Sequence, residues 1–243
     1  MTNRFADSPG IDVAKPVHFQ FDNRTYLGYL GDTLASALLA NNVRLIGRSF
    51  KYHQPRGIFS DGSDEPNALV TVLREGHPEP NTRATEIELY VGLKAWSQNA
   101  WPSLRFDLLA INDRLSKFLT AGFYYKTFMW PASFWEKYEY FIRHSAGLGK
   151  SPTKPDTDIY DHKHIHCDVL VIGAGISGII AAKTAAKNNL KTLLLEEKTQ
   201  IGGSTIYQNS ENFKIDNKNS SEWLANEINE LKGLDNLEIK TRT

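Results

Sequence analysis

The residues best placed to do chemistry lie at 168–197, in the run DVLVIGAGISGIIAAKTAAKNNLKTLLLEE. Gly173, Gly175 and Gly178 have the spacing that takes a chain from a buried strand, over a pyrophosphate, into a helix. Each glycine has its own task in such a turn. Gly173 permits the tight change of direction, Gly175 leaves no side chain between backbone and phosphate, and Gly178 lets the helix pack closely on the strand. With Ala174, Ile176 and Ser177 between them, they bring backbone N–H groups and the positive end of a helix dipole to the ligand, which stabilises an anion without a basic side chain. An acid follows where this arrangement holds the adenosine ribose, about 20 residues on. Glu196 and Glu197 both fall there, but side chains alternate along a strand, so only one should face the ribose, and we favour Glu196. A carboxylate at that point repels a 2′-phosphate, which argues for NAD or FAD over NADP. The competing reading is a phosphate-free glycine turn that serves close packing alone.

The flanking elements give the motif its specificity, because a bare GxGxxG recurs by chance. Val169, Leu170, Val171 and Ile172 form the continuous apolar run of a parallel strand covered on both faces by helices. Ala181, Ala182, Thr184, Ala185 and Ala186 give the following helix small residues for packing on the sheet, and Asn188 and Asn189 fit the turn that ends it. Residues 191–195 read as a second buried strand and NLEIKT, at 236–241, as a third. Only the first half of the six-strand fold is then present. Its open edge and uncovered apolar faces are expected to leave the last ~80 residues poorly stable alone.

Composition narrows the partners. The 243 residues are 41% hydrophobic, enough for one large core or two small ones, and 28 basic side chains balance 28 acidic ones. No net field favours nucleic acid or an anionic membrane surface. The single cysteine, Cys167, rules out an intrachain disulfide and, on its own, a four-cysteine zinc or iron–sulfur site. No apolar run approaches the ~20 residues that span a bilayer, and MTNRFADSPG lacks the apolar core of a signal peptide, so a soluble cytoplasmic protein is expected.

In the first hundred residues, VHFQFDNRTYLGYL at 17–30 predicts a hairpin turning at Asp22-Asn23, with Val17, Phe19 and Phe21 on one face. Asp32 or Thr33 caps a helix carrying Leu34, Ala37, Leu38 and Val43, which ends at Asn41-Asn42. A long loop rich in Gly, Pro, Ser and Asp then leads to a strand at 68–73, which together suggest a small β-grasp unit of ferredoxin type. A plant-type ferredoxin would carry its CxxxxCxxC ligands just before that strand. Ser60, Glu65 and Ala68 stand at the matching spacing, so the scaffold is expected without its cluster. Glu65 with Asp61 and Asp64 could hold a hard cation, but the spacing is not that of a calcium loop, and a solvated acidic turn is the better reading.

Between 81 and 149 the chain is rich in rings, among them Trp101, Phe106, Phe123, Tyr124, Tyr125, Trp130 and Trp135, and so much ring surface must be buried. It either wraps as an extended segment against another domain or subunit, or fills an intrachain core. Too few basic residues interleave the rings for nucleic-acid stacking. LGKSPTKPDTDIY, at 148–160, has the composition of a linker. His162, His164 and His166 would share one face beside Cys167, where zinc is conceivable, but an exposed lead-in to the first strand is the simpler account.

Taken together, GDTLASALLANNVRLIGRSFKYHQPRGIFSDGSDEPNALV, the NTRAT element at 81–85, AGFYYKTFMWP and the glycine fingerprint resemble the alpha subunits of heterotetrameric sarcosine oxidases. The resemblance covers essentially the whole chain and is far more specific in its early and middle motifs than in the glycines. It implies a cytoplasmic bacterial flavoenzyme that oxidatively demethylates sarcosine to glycine, reduces oxygen to peroxide and passes the one-carbon unit to tetrahydrofolate. NAD would lie in the fold carried by Gly173, Gly175, Gly178 and Glu196, FAD in the beta subunit and FMN where alpha and beta meet. Gamma and delta subunits complete the assembly. The resemblance also implies a ferredoxin-like domain without an iron–sulfur cluster. Alpha subunits are several times longer, so the chain reads as an N-terminal fragment with no catalytic residue and no metal site of its own. The alternatives are a subunit of an opine oxidase or hydrogen cyanide synthase type of assembly with FAD in this fold, or a non-catalytic scaffold with a structural nucleotide. The expected architecture is α+β followed by α/β. A β-grasp domain at 14–100 precedes an aromatic-rich segment and linker at 101–162, and the first half of a Rossmann-type parallel dinucleotide fold occupies 163–243.

Overall fold

A computed structural model describes residues 3–4, 8, 10–117, 130–145, 149, 151–153, 155, 159, 162–206 and 213–243. The chain divides into two units, 1–157 and 158–243.

In the first unit, β1 (Asp12–Phe21) and β2 (Arg24–Leu30) pair antiparallel around Asp22 and Asn23. Their φ values of 47° and 62° are the left-handed pair that a two-residue I′ turn demands, which Asn and Asp tolerate. Val17, Phe19 and Phe21 alternate into the core as the pattern predicts. Helix α1 (Leu34–Ala40) buries Leu34, Ala37 and Leu38 against them and ends at Asn41, with Asn42 at φ 60°. The strands β3 (Gly47–Arg48) and β4 (Pro55–Arg56) make a short hairpin. They are followed by β5 (Leu69–Arg74), β6 (His77–Arg83) and β7 (Lys94–Ser97). The main sheet runs β2-β1-β7-β5-β6, with β1 and β7 parallel and the other pairs antiparallel. A mixed sheet with its first and last strands side by side and a helix across it is the β-grasp arrangement expected.

Of the two candidate caps, Thr33 caps the helix and Asp32 does something else. Thr33 Oγ1 accepts the Ser36 N–H and Ser36 Oγ accepts the Thr33 N–H, a reciprocal box. The Asp32 carboxylate is fully buried and takes both ends of the Arg4 guanidinium, at 2.6 and 3.0 Å, along with the Tyr29 N–H and the Ser36 hydroxyl. Arg4 is thereby pinned to the turn between β2 and α1.

The acidic loop differs from its expectation. Asp61 and Asp64 are exposed, but Glu65 is 1% exposed and turns inward, so the segment is not a uniformly solvated turn. Four backbone N–H groups meet its carboxylate, which supplies the hydration that burial removes.

The aromatic segment also departs from full burial. A short helix α2 (Ile111–Arg114) and a longer α3 (Trp135–Ser145) lie here. Trp101, Phe106, Trp130 and Trp135 are each more than half exposed, because the main core is already closed by α1 and the sheet. Phe118, Phe123, Tyr124, Tyr125 and Phe128 lie outside the described residues, as do parts of the 148–160 segment.

The second unit begins with β8 (Val169–Ile172), α4 (Ile176–Lys187) and β9 (Thr192–Glu196). Next come the two-residue strands β10 (Lys214–Ile215) and β11 (Lys218–Asn219), helix α5 (Ser220–Lys232) and β12 (Leu237–Thr241). The order β12-β9-β8 is parallel throughout, with α4 as the crossover from β8 to β9. Asn188 caps α4 and Asn189 takes φ 63°, the helix stop that the Asn pair predicts. Ala182 and Ala186 are buried and Ala185 half-buried, whereas Ala181 and Thr184 face outward, so only part of the small-residue set packs inward. Strand β8 is not covered on both faces: Leu170 is 51% and Ile172 79% exposed. Helices α4 and α5 supply one layer, and alternate β8 side chains point away from it. Among the described residues no helix is long and apolar enough to cross a membrane.

Replacing Asp32 with Ala strands the Arg4 guanidinium in a buried position and removes the acceptor for Tyr29 N–H. Denaturant unfolding of the first unit should show a loss of about 3–5 kcal/mol, the cost typical of breaking a buried ion pair. A loss under about 1 kcal/mol would mean that Asp32 is not the anchor described here.

Candidate functional site

The glycine turn joins β8 to α4, and each glycine meets a different requirement. Gly173 has φ 92°, a conformation that L side chains rarely adopt, and its N–H donates to the Leu195 carbonyl at 2.8 Å. A Cβ on Gly178 would stand 1.9 Å from the Gly173 carbonyl oxygen, so the helix can approach the strand only with glycine there. A Cβ on Gly175 would meet nothing within 4 Å. Packing therefore does not require that glycine, and open space lies over it. Gly175 is also the N-cap of α4, in extended geometry, and no side chain caps the helix. The opening N–H groups of Ile176, Ser177 and Gly178 have the location of an anion site.

Glu196 ends β9 beside this turn. Its Oε2 accepts the Ala174 N–H at 2.6 Å and its Oε1 accepts the Lys198 N–H at 3.0 Å. The side chain is 6% exposed. Each carboxylate oxygen has two lone pairs, so two acceptor positions remain for hydroxyl donors. Glu197 points outward, as strand alternation requires. The structure brings Gly173, Ala174, Gly175, Ile176, Ser177, Gly178 and Glu196 together and leaves Glu197 aside. The Ala174 side chain packs with Ala182 and Leu194, and Ile176 packs beside Ile179 and Trp223, so both offer backbone to the turn and side chain to the core.

A second pair of glycines completes the wall. Gly202 N–H donates to Ala174 O at 2.8 Å, Thr205 Oγ1 donates to Gly202 O, and a Cβ on Gly203 would come within 3.0 Å of Gly175 Cα. Gly202 and Gly203 take φ values of 131° and 54°. Sequence reasoning passes over these residues, since they follow β9 in a segment without periodicity. The adjacent glycines close after the acid were the available signal.

His162, His164 and His166 are exposed and Cys167 half-buried. Among the described residues no group of three or more His, Cys, Asp or Glu side chains is gathered for a metal ion.

The first unit has its own concavity, of about 420 Å³, with Arg48, Lys51, Arg56, Tyr52, Asn67 and Asn99 in its lining and no carboxylate. Its wall is fixed from behind. Arg48 donates to the carbonyls of Leu104 and His53. The buried His53 ring bonds through Nδ1 to Asp107 Oδ2 at 2.7 Å. Asp107 also accepts the Trp101 and Leu109 N–H groups, which ties the 49–54 loop to the 101–109 segment.

Residues 14–100 match the model of a family described as a 2Fe-2S iron–sulfur cluster binding domain, and residues 168–231 match the FAD dependent oxidoreductase family. The chain is 53% identical over 234 residues to sarcosine oxidase subunit alpha of Rhizobium meliloti (strain 1021), covering 96% of this chain and 23% of that relative. To sarcosine oxidase subunit alpha of Corynebacterium sp. (strain P-1) it is 30% identical over 221 residues, 91% of this chain and 18% of that one. The chain thus spans less than a quarter of the length of these curated relatives. L-proline dehydrogenase from P. horikoshii shares the fold, with a TM-score of 0.55 at 21% identity over 94% of this chain and 33% of that chain.

A two-iron cluster does not fit the residues present. It needs four ligands, ordinarily thiolates. Ser60, Glu65 and Ala68 hold the spaced positions, and the one cysteine, Cys167, lies outside residues 14–100. What fits is a ferredoxin-like scaffold joined in one chain to a segment that matches the FAD dependent oxidoreductase family. Along nearly its whole length, this chain is a homologue of sarcosine oxidase alpha subunits.

Proposed function

We propose that the chain belongs to the alpha subunit of a flavin-containing sarcosine oxidase assembly, and that its glycine turn holds the ADP half of a dinucleotide, NAD. The observation that carries the reading is the likeness to alpha subunits over 96% of the chain, which runs through a turn whose middle glycine faces open space. In the whole assembly, sarcosine would be demethylated to glycine with reduction of oxygen to peroxide and transfer of the one-carbon unit to tetrahydrofolate. Beta, gamma and delta subunits would carry the remaining chemistry, with FAD in beta and FMN where alpha and beta meet. The exposed rings of Trp101, Phe106, Trp130 and Trp135 support a role in subunit contacts, where aromatic anchors dominate binding energy.

This chain's residues would bind and orient. The N–H groups opening α4 meet the pyrophosphate, the bare Gly175 backbone lets it approach, and Glu196 accepts hydrogen bonds from the ribose hydroxyls. Bound NAD would supply hydride-transfer chemistry at its nicotinamide. FAD is the second reading, favoured by the family model that matches 168–231. Its ADP half is the same, so the turn alone accommodates either.

Mass spectrometry of nucleotide released from the full-length complex should give NAD, and FAD released from this subunit would correct the assignment. Glu196→Ala should weaken retention through loss of charge-assisted hydrogen bonds of about 1.5–3 kcal/mol, roughly 10- to 100-fold. Because Glu196 also accepts the Ala174 and Lys198 N–H groups, the cleaner variant is Gly175→Ala. Its thermal stability should match the wild type while nucleotide retention falls. Gly178→Ala should lose both, since its methyl collides with the Gly173 carbonyl. Equal retention by Gly175→Ala and wild type would rule out close phosphate approach at this turn.

A further inference from the structure

Residues 14–100 match a two-iron family model yet hold no thiolate, which leaves a physical question: what satisfies the amides of a loop that in such a scaffold surrounds an anionic cluster? Cluster loops of this kind point backbone N–H groups inward at sulfur, and such converging amides form an anion-binding concavity. The amides remain here although the thiolates do not. Phe59 N–H and Ser60 N–H each donate to Glu65 Oε2 at 2.7 Å. Asn67 N–H and Ala68 N–H donate to Oε1 at 2.7 and 3.1 Å. The carboxylate comes from the second ligand position and is held by the backbone of the first, Ser60, and the third, Ala68. Beside it, Ser60 Oγ is buried without a hydrogen-bond partner.

The surroundings hold this loop closed around its acid. Arg83 Nε donates to the Glu65 carbonyl at 3.1 Å, Thr85 Oγ1 donates to the Gly62 carbonyl at 2.6 Å, and Ala84 N–H donates to Ala68 O at 2.9 Å. Three residues of the NTRAT element thus fasten the loop on one side. Gly62, at φ 68°, lets the chain bend over the top.

We propose that the Glu65 carboxylate stands in for the cluster as the anion required by four converging amides, making this loop a carboxylate-selective cradle filled by the chain's own side chain. The unit then keeps the ferredoxin scaffold as a redox-silent element whose rigidity comes from one acid. Burial alone pushes the Glu65 carboxyl up, yet the four N–H donors outweigh it and hold its pKa below the ordinary carboxylate value. A depressed folded-state pKa means that the stabilisation is present above the unfolded value and is lost as pH falls through the folded one. This inference does not depend on the nucleotide or the assembly proposed above.

Chemical rescue in the full chain tests it. Glu65→Ala leaves four converging amides around a hole, and its melting temperature should drop by roughly 10 °C or more. Sodium formate should recover most of that loss in a saturable way, whereas sodium chloride at equal ionic strength should not. Formate should leave the wild type unchanged. Glu65→Gln fills the hole but turns an amide group toward N–H donors; it should be destabilised at neutral pH, lack the wild type's loss of stability on acidification, and gain nothing from formate. If Glu65→Ala folds in neither buffer, the Gln variant decides the matter. Wild-type stability in Glu65→Gln, or equal effects of formate and chloride on Glu65→Ala, would overturn the proposal. So would visible charge-transfer absorption appearing in the wild-type chain after incubation with ferrous iron and sulfide.

Discussion

Backbone N–H groups that converge in a turn cannot all find carbonyl partners, so they must be met by water or by negative charge. Both units of this chain are organised around such a turn. In the first, four amides close on the Glu65 carboxylate, and the loop that leads into β5 has its shape because that acid is inside it. In the second, Glu196 takes the Ala174 and Lys198 amides, while the amides that open α4 are left without a side-chain cap. One turn supplies its own anion, and the other is the turn proposed to receive one. That contrast separates a scaffold from a binding site more sharply than does composition.

The features legible in the sequence were those set by local stereochemistry. The Asp22-Asn23 turn, the Asn188-Asn189 stop and the Gly173 bend each depend on what one or two residues can do with φ and ψ, so residue type is enough to locate them, whereas the cap of α1 stays open between Asp32 and Thr33 until the structure gives it to Thr33. Alternation likewise separated Glu196 from Glu197, since neighbours in a strand face opposite ways. What stayed hidden was set by the path of the chain in space. Asp61, Asp64 and Glu65 are equivalent on composition, and only the bend at Gly62 and the ties from Arg83 and Thr85 decide which one turns inward. The same holds for Gly202 and Gly203, whose meaning comes from lying against Ala174 and Gly175. The apolar run of β8 suggested two covered faces, yet Leu170 and Ile172 are open, because hydrophobicity marks a face for burial without supplying what buries it.

The combination of units bears on function. The ferredoxin-like element has no thiolates at the cluster positions, and it presents a basic concavity around Arg48, Lys51 and Arg56. The His53–Asp107 pair and the Glu65 cradle hold the two loops that border that concavity, one through a side-chain pair and the other through backbone amides. The glycine turn of the second unit would, as proposed, grip the ADP half of a dinucleotide. In the proposed assembly this chain would bind and position, with the substrate chemistry carried by partner subunits.

Hydrogen–deuterium exchange of the intact protein, with and without NAD, reads the amides of both turns themselves. NAD should slow exchange in peptides covering the turn and the opening of α4, at 173–178, and the loop at 202–205 that backs it. The Glu65 loop should exchange slowly in both states. Unchanged exchange at 173–178 under saturating NAD, or protection appearing only outside the second unit, would contradict it.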